Sequence, residues 1–274
     1  VAEFYNRTRR SQSIPLGLLK RGHLVGLPLY YLLSASDLAQ EGFKNSGSYA
    51  FADHIYRNRP SGRNTLGRWV DARLLSMRAV RSFRNRFLAS RDELASFLCL
   101  HSGKELLILS VPCGIPRELA DGAEIARQHG ADLNNVKFHG LDLDPEVLRK
   151  AARFAEENGL ANFHAHEGDA LLQSNYPSVA DFVTSTGLAE FLDDRTLEIF
   201  YRIVFETLRP GDGVFISSGM QRRLVSEYLL KIAELHVHYR SAEKLEEVAR
   251  AAGFQEVSVR RDEFGIQSIL VARR

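Results

Sequence analysis

The stretch from Leu106 to Asp142 limits what this chain can fold into more than any other. An apolar run, Leu106-Leu107-Ile108-Leu109, enters a tight turn, Ser110-Val111-Pro112-Cys113-Gly114-Ile115-Pro116. A helical segment follows, then a second short strand that ends at Gly140-Leu141-Asp142-Leu143-Asp144-Pro145. A strand, turn, helix, strand unit whose second strand closes on a carboxylate suits a nucleotide. The turn approaches the ligand with its backbone, and the acid accepts from the ribose hydroxyls.

The same alternation continues downstream. Asp144 caps a helix with Pro145 at its first position and Gly159 beyond its end. Phe163 to His166 reads as a third strand leading to Gly168-Asp169-Ala170, and Val179 to Thr184 as a fourth ending at Ser185-Thr186-Gly187. The helix through Leu197, Phe200 and Val204 stops at Arg209-Pro210-Gly211, and Val214 to Ser218 is a fifth strand. Gln221 to His238 reads as helical, and Ser241 caps a further helix closed by Gly253. Phe254 to Arg260 and Ile266 to Ala272 alternate as an antiparallel hairpin. The expected fold is α/β: a seven-stranded, mostly parallel Rossmann-like sheet with a terminal antiparallel hairpin, preceded by a helical cap.

Residues 1–102 show helical spacing instead and form the expected cap, with the sheet domain over 103–274. Met77, Val80, Phe83 and Phe87 fall on one helix face, and Ser90-Arg91-Asp92-Glu93 fits a capping box that opens another helix. Between Ser46 and Arg68 the composition turns to Gly, Pro and Arg, with Tyr49, Phe51 and Tyr56 interleaved, and reads as a loop or lid. Leu24 to Leu33 is apolar but too short to span a bilayer, so it reads as cap helix, and no transmembrane segment is expected.

With 274 residues and 45% apolar side chains the chain can bury a substantial core. Two cysteines, Cys99 and Cys113, are too few for a disulfide framework or a zinc site, and imply a reducing, cytoplasmic setting. The formal charge of +2 hides an asymmetry: the first hundred residues hold 16 Lys/Arg against 7 Asp/Glu, a net +9, and the remainder is −7. A basic front suits an anionic substrate, an acidic carrier protein, RNA or a membrane surface; solvated arginines on cap helices are the plainer account.

Six signals in register resemble the class I S-adenosylmethionine (SAM)-dependent methyltransferases over roughly 105–274. They are the turn Ser110–Pro116, Asp142, Gly168-Asp169-Ala170, Ser185-Thr186-Gly187, Leu208-Arg209-Pro210-Gly211 and Ala252-Gly253-Phe254. The segment Ser48–Arg86 is also similar to a bacterial group of methyltransferases of unassigned substrate. The resemblance implies SAM as cofactor, with Asp142 on the ribose, Asp169 on the adenine amino group and the Ala170 backbone completing the adenine clamp. Ser110, Leu143, Gly168, Ser185 and Thr186 join this cofactor-binding set, and backbone groups at Cys113, Gly114 and Ile115 face the methionine end. The sequence departs from the family at the turn. Ser110 stands where most relatives carry an acid for the cofactor's ammonium, and Pro112 and Pro116 replace two glycines, removing donors and stiffening the backbone.

Methyl transfer needs an in-line nucleophile and, for a protonated acceptor, a base. Glu190, Tyr176, Tyr49, Tyr56 and His238 are the candidates, each with a competing role in packing or solvation, and the same holds for His236. HExxH, paired CxxC, Walker and Gly-x-Ser-x-Gly patterns do not occur, so metal-hydrolase, NTPase and serine-hydrolase readings lack support and no metal is expected. The expected function is methyl transfer to a small-molecule or lipid-like acceptor enclosed by the cap. One alternative is aminocarboxypropyl chemistry that releases methylthioadenosine, motivated by the missing acid. The other is a non-catalytic SAM-fold or RNA-binding module, although no recognised RNA motif accompanies the basic front.

Overall fold

The computed structural model describes Pro15 and residues 26–45, 49–160, 162–177, 179–222 and 237–274. These divide into two units, a helical one up to Arg84 and a sheet unit from Asn85 onward, each described by itself.

The helical unit comprises α1 (Gly26–Leu33), α2 (Asp37–Asn45), α3 (Tyr49–Arg57), α4 (Thr65–Leu75) and the first turns of α5 (Arg78–Leu100). Leu38, Ile55 and Leu75 are its buried apolar centre, with Phe51, Tyr56 and Phe83 packed around them. A buried carboxylate ties the helices together. Asp71 accepts from the Ser36 hydroxyl (2.6 Å), the Leu38 N–H (2.9 Å) and the Ser61 N–H (3.1 Å), and is 2.8 Å from His54 Nε2. Burial by itself would raise the Asp71 pKa, but the bonds from His54, Ser36 and the two backbone groups hold it below its ordinary value.

Three expectations for this region change. The Gly/Pro/Arg-rich segment read as a loop or lid is mostly α3 and α4, because Pro60 and Gly62 are confined to the short connection and Asn64 caps α4 through the Gly67 N–H (2.8 Å). Ser90 does not open a new helix; α5 runs unbroken for 23 residues, and the Ser90 hydroxyl meets that of Thr184 at 2.7 Å. The unit boundary lies at Arg84 rather than at 102, since Leu94, Phe97 and Leu98 on the later turns of α5 belong to the core beneath the sheet.

The sheet unit is built on β1 (Leu106–Ser110), which is apolar up to its last residue because both of its faces are covered. Leu106 and Ile108 join one core layer, with α5 and α6 (Arg117–Gln128); Leu109 joins the other, with α8 (Asp194–Thr207) and α9 (Ala242–Ala251). The other strands are β2 (Val136–Asp142), β3 (Phe163–Glu167), β4 (Phe182–Ser185), β5 (Val214–Met220), β6 (Glu256–Arg261) and β7 (Gln267–Arg273). The order is β3-β2-β1-β4-β5-β7-β6, parallel through β5, with β7 antiparallel to both neighbours. This is the expected seven-stranded sheet with a terminal hairpin. Chain order reverses between β1 and β4, and ligands of such sheets bind at the strand ends beside that reversal. On the far side of β2, α7 (Pro145–Glu157) starts at Asp144, whose carboxylate accepts the Glu146 N–H (2.8 Å) as the Pro145 signal predicted. The helix expected over 221–238 lies almost entirely outside the described residues, as does His236.

Candidate cofactor site

At the tip of β1 the backbone cannot continue as a strand, because Pro112 lacks a donor and Gly114 takes φ +48°. The turn is instead strapped to its neighbours: Val111 N–H donates to the Thr184 carbonyl and Cys113 N–H to the Leu141 carbonyl, each at 2.9 Å. Gly114 N–H donates to Asp142 Oδ2 (3.0 Å), and Asp144 N–H donates to the other carboxylate oxygen (3.1 Å). Asp142 is 2% exposed, and burial pushes its pKa up against the pull of these backbone donors. The Cys113 side chain turns away into the pocket of Leu148 and Ala151, so close to Gly140 that a Cβ there would meet its sulfur at 2.9 Å. Burial drives the thiol pKa well up, as do the nearby Asp142 and Glu118 carboxylates.

The turn after β3 is built from its own side chains. Gly168 N–H donates to the Asp142 carbonyl (2.9 Å), the Asp169 carboxylate accepts the Leu171 N–H (2.9 Å), and the Tyr176 hydroxyl donates to the Ala170 carbonyl (2.7 Å). A Cβ on Gly168 would sit 2.7 Å from Asn175, so only glycine lets this loop close down.

Two buried arginines hold the loop after β4. Arg86 forms an ion pair with Glu190, both nearly inaccessible, and a Cβ on Gly187 would lie 2.8 Å from the Arg86 guanidinium. Arg240 donates to the carbonyls of Ala189 (2.6 Å) and Leu192 and to Asp194 (2.8 Å). The Ser185 hydroxyl, on the last residue of β4, is buried and has no hydrogen-bond partner among the described residues.

Residues 37–274 match the family described as "putative methyltransferase". The chain belongs to this methyltransferase family. In solved structures, the methyltransferase is similar to a protein from Bordetella parapertussis described as a possible exported protein (23% identity, 89% of this chain and 85% of that one, TM-score 0.74). It is similar in fold to magnesium protoporphyrin IX methyltransferase from Synechocystis PCC 6803 with bound SAH (15% identity, 81% and 93% covered, TM-score 0.54). An O-methyltransferase family protein from Burkholderia thailandensis shares the fold at 17% identity (86% and 71% covered, TM-score 0.56). No curated protein sequence matches the chain significantly. Among the described residues no helix is long and apolar enough to cross a membrane.

The fold of the methyltransferase brings Ser110, Gly114, Asp142, Leu143, Gly168, Asp169, Ala170, Ser185 and Thr186 to the carboxyl ends of β1 to β4. It does not leave the turn's backbone free: the Cys113 and Gly114 N–H groups are spent on Leu141 and Asp142, and the Ile115 carbonyl accepts from Arg117 N–H (2.7 Å). Among the candidate catalytic residues, Glu190 is engaged by Arg86, and Tyr176 is engaged by Ala170 with its phenol pKa driven upward, chiefly by burial. His238 is exposed, with its N–H on the Glu190 carbonyl (2.7 Å). Tyr49 and Tyr56 belong to the helical unit, where the Tyr56 ring stacks on Phe83 at 5.9 Å. Sequence reasoning missed Arg86, Arg240 and Asp71, which no motif or spacing marks. It also missed Glu118, which the turn of α6 carries back to the tip of β1. Ser110 was expected to face a ligand, yet its hydroxyl donates to Glu118 Oε1 at 2.7 Å.

Proposed function

We propose that this methyltransferase uses SAM as methyl donor and acts on a small or lipid-like acceptor. The observation that carries the cofactor reading is Asp142: a buried carboxylate pinned by two backbone donors at the tip of β2 keeps lone pairs for two ribose hydroxyls. Asp169 would accept from the adenine amino group and the Ala170 N–H would donate to the ring, with Tyr176 fixing the loop from behind. Leu143, half-buried beside Asp142, and the backbone of Gly168 complete that end. Ser185 and Thr186 border the donor at the tip of β4, and the Ser185 hydroxyl, which has no partner among the described residues, is suited to a polar ligand atom. SAM supplies an electrophilic methyl group on sulfur; the residues named here hold and orient it, and proximity does much of the work.

The acceptor class is read from the surface of the helical unit. Its exposed Leu29, Tyr31 and Leu32 on α1, with Leu66 and Trp69 on α4, favour an apolar molecule, and the basic front favours one with an anionic group. Cys99 and Cys113 are both unpaired, which supports a reducing, cytoplasmic setting. Glu118, hydrogen-bonded behind Ser110, places an acid at the turn and so weakens the motive for the aminocarboxypropyl alternative.

Incubation with SAM alone and then with fractionated extracts, with mass spectrometry of the adenosyl product, tests this reading. S-adenosylhomocysteine formed only with small-molecule or lipid fractions is the expected outcome. Methylthioadenosine as the product refutes methyl transfer, and turnover restricted to RNA or protein fractions refutes the acceptor class.

A further inference from the structure

Glu118 is a buried carboxylate without an assigned partner charge. It sits in the first turn of α6, 6% exposed, and among the described residues its hydrogen-bond donors are the Ser110 hydroxyl and its own backbone N–H. Among the described residues it forms no ion pair; the adjacent Arg117 guanidinium lies over the Phe154 ring, 4.6 Å from its centroid. A carboxylate removed from water is costly unless a cation meets it. Burial accordingly raises its pKa to about 7, with Asp121 adding to the rise while Ser110 and Arg117 oppose it. A cationic ligand group would offset that cost. Ser110 occupies the last position of β1, next to the strand-order reversal, and its hydroxyl orients one carboxylate oxygen of Glu118 while leaving the other without a side-chain donor.

We propose that Glu118 receives the ammonium of the SAM amino-acid arm, with Ser110 as the positioning residue, so that helix α6 delivers the charge that β1 does not carry. The inference rests on the cofactor reading above and extends it to the methionine end. A serine at the strand end and a glutamate one turn into the next helix together present the carboxylate that a single strand-end acid would present.

Calorimetric titration of the full chain with SAM and with methylthioadenosine, which lacks the amino-acid arm, tests the assignment. In Glu118→Gln the SAM affinity should fall about tenfold or more, the loss of one charge-assisted contact, while methylthioadenosine affinity stays within about twofold. Ser110→Ala should shift the ratio in the same direction by less. Should Glu118→Gln fail to fold, the wild-type chain still decides: it should prefer S-adenosylhomocysteine over its deamino analogue by about tenfold or more. An unchanged SAM affinity in Glu118→Gln, an equal loss for both ligands, or indifference to the amino group overturns the role of Glu118 while leaving the Asp142 ribose reading intact. Binding of neither SAM nor methylthioadenosine by the wild-type chain refutes the cofactor reading itself.

Discussion

Removing the charge of Glu190 while keeping its shape, as in Glu190→Gln, should cost stability rather than chemistry. Arg86 and Glu190 are 3% and 2% exposed, so water does not replace the contact between them once it is broken. Breaking a buried pair from one side typically costs about 3–5 kcal/mol. The lower end applies, because Glu190 Oε2 is buried with no hydrogen-bond partner among the described residues, so the pair is incompletely satisfied to begin with. A loss of about 3 kcal/mol corresponds to a fall in Tm of roughly 6–12 °C for a chain of this size. Urea unfolding of the wild type, Glu190→Gln, Arg86→Met and the double variant measures this directly. The double variant should be more stable than the additive expectation from the singles, since it removes both charges of the pair together. Stability within about 0.5 kcal/mol of wild type in Glu190→Gln, accompanied by lost turnover, would refute the argument and return Glu190 to the role of catalytic base.

Asp142→Ala should weaken SAM and methylthioadenosine alike, by roughly tenfold or more, through the loss of charge-assisted ribose contacts; selective loss of SAM alone would contradict the ribose assignment. Ser110→Asp, which restores an acid at the strand end, should now destabilise the protein at pH 8 and less so at pH 6, because a second carboxylate beside Glu118 favours protonation; differential scanning at the two pH values reads this. His139 is buried against His166 (2.7 Å), and its pKa is lowered to about 4 by burial and by neighbouring His166, His164 and Lys137. Its folded value lies below the unfolded one, so stability is fully present above about pH 6.5 and falls as the unfolded chain gains protons toward pH 4, by at most about 3 kcal/mol. A His139→Gln protein with the same acid slope as wild type would disprove that assignment. Tyr176→Phe should lower SAM affinity a few-fold with little effect on turnover at saturation, since the hydroxyl serves the Ala170 carbonyl.

Much of the fold was legible because it depends on local patterns. Leu106 to Leu109 needed both faces covered, Pro145 and Gly159 marked the ends of α7, and Leu208-Arg209-Pro210-Gly211 marked the turn before β5. The errors had local causes too. Ser90 satisfied a capping pattern but stood in the middle of α5, where no breaker interrupts the helix and Thr184 takes its hydroxyl. The Gly/Pro/Arg-rich stretch looked like a lid because composition does not say that Pro60 and Gly62 fall together in one short connection while Gly67 sits within α4.

The candidate site divides along the same line. The sequence by itself determined which backbone positions reach the sheet's ligand end: an acid at the end of β2, a Gly-Asp-Ala after β3 and a Pro/Gly turn after β1, each set by residues adjacent along the chain. Only the tertiary structure decided which charges meet. Arg86 and Glu190 are 104 residues apart and Arg240 and Ala189 51 apart, and no periodicity encodes pairings at such separations. Even Ser110 and Glu118, eight residues apart, meet only because the turn reverses the chain and α6 aims its first turn back at β1. Side-chain pairing over distance is a consequence of packing, since the energy of a buried charge depends on what folding brings beside it.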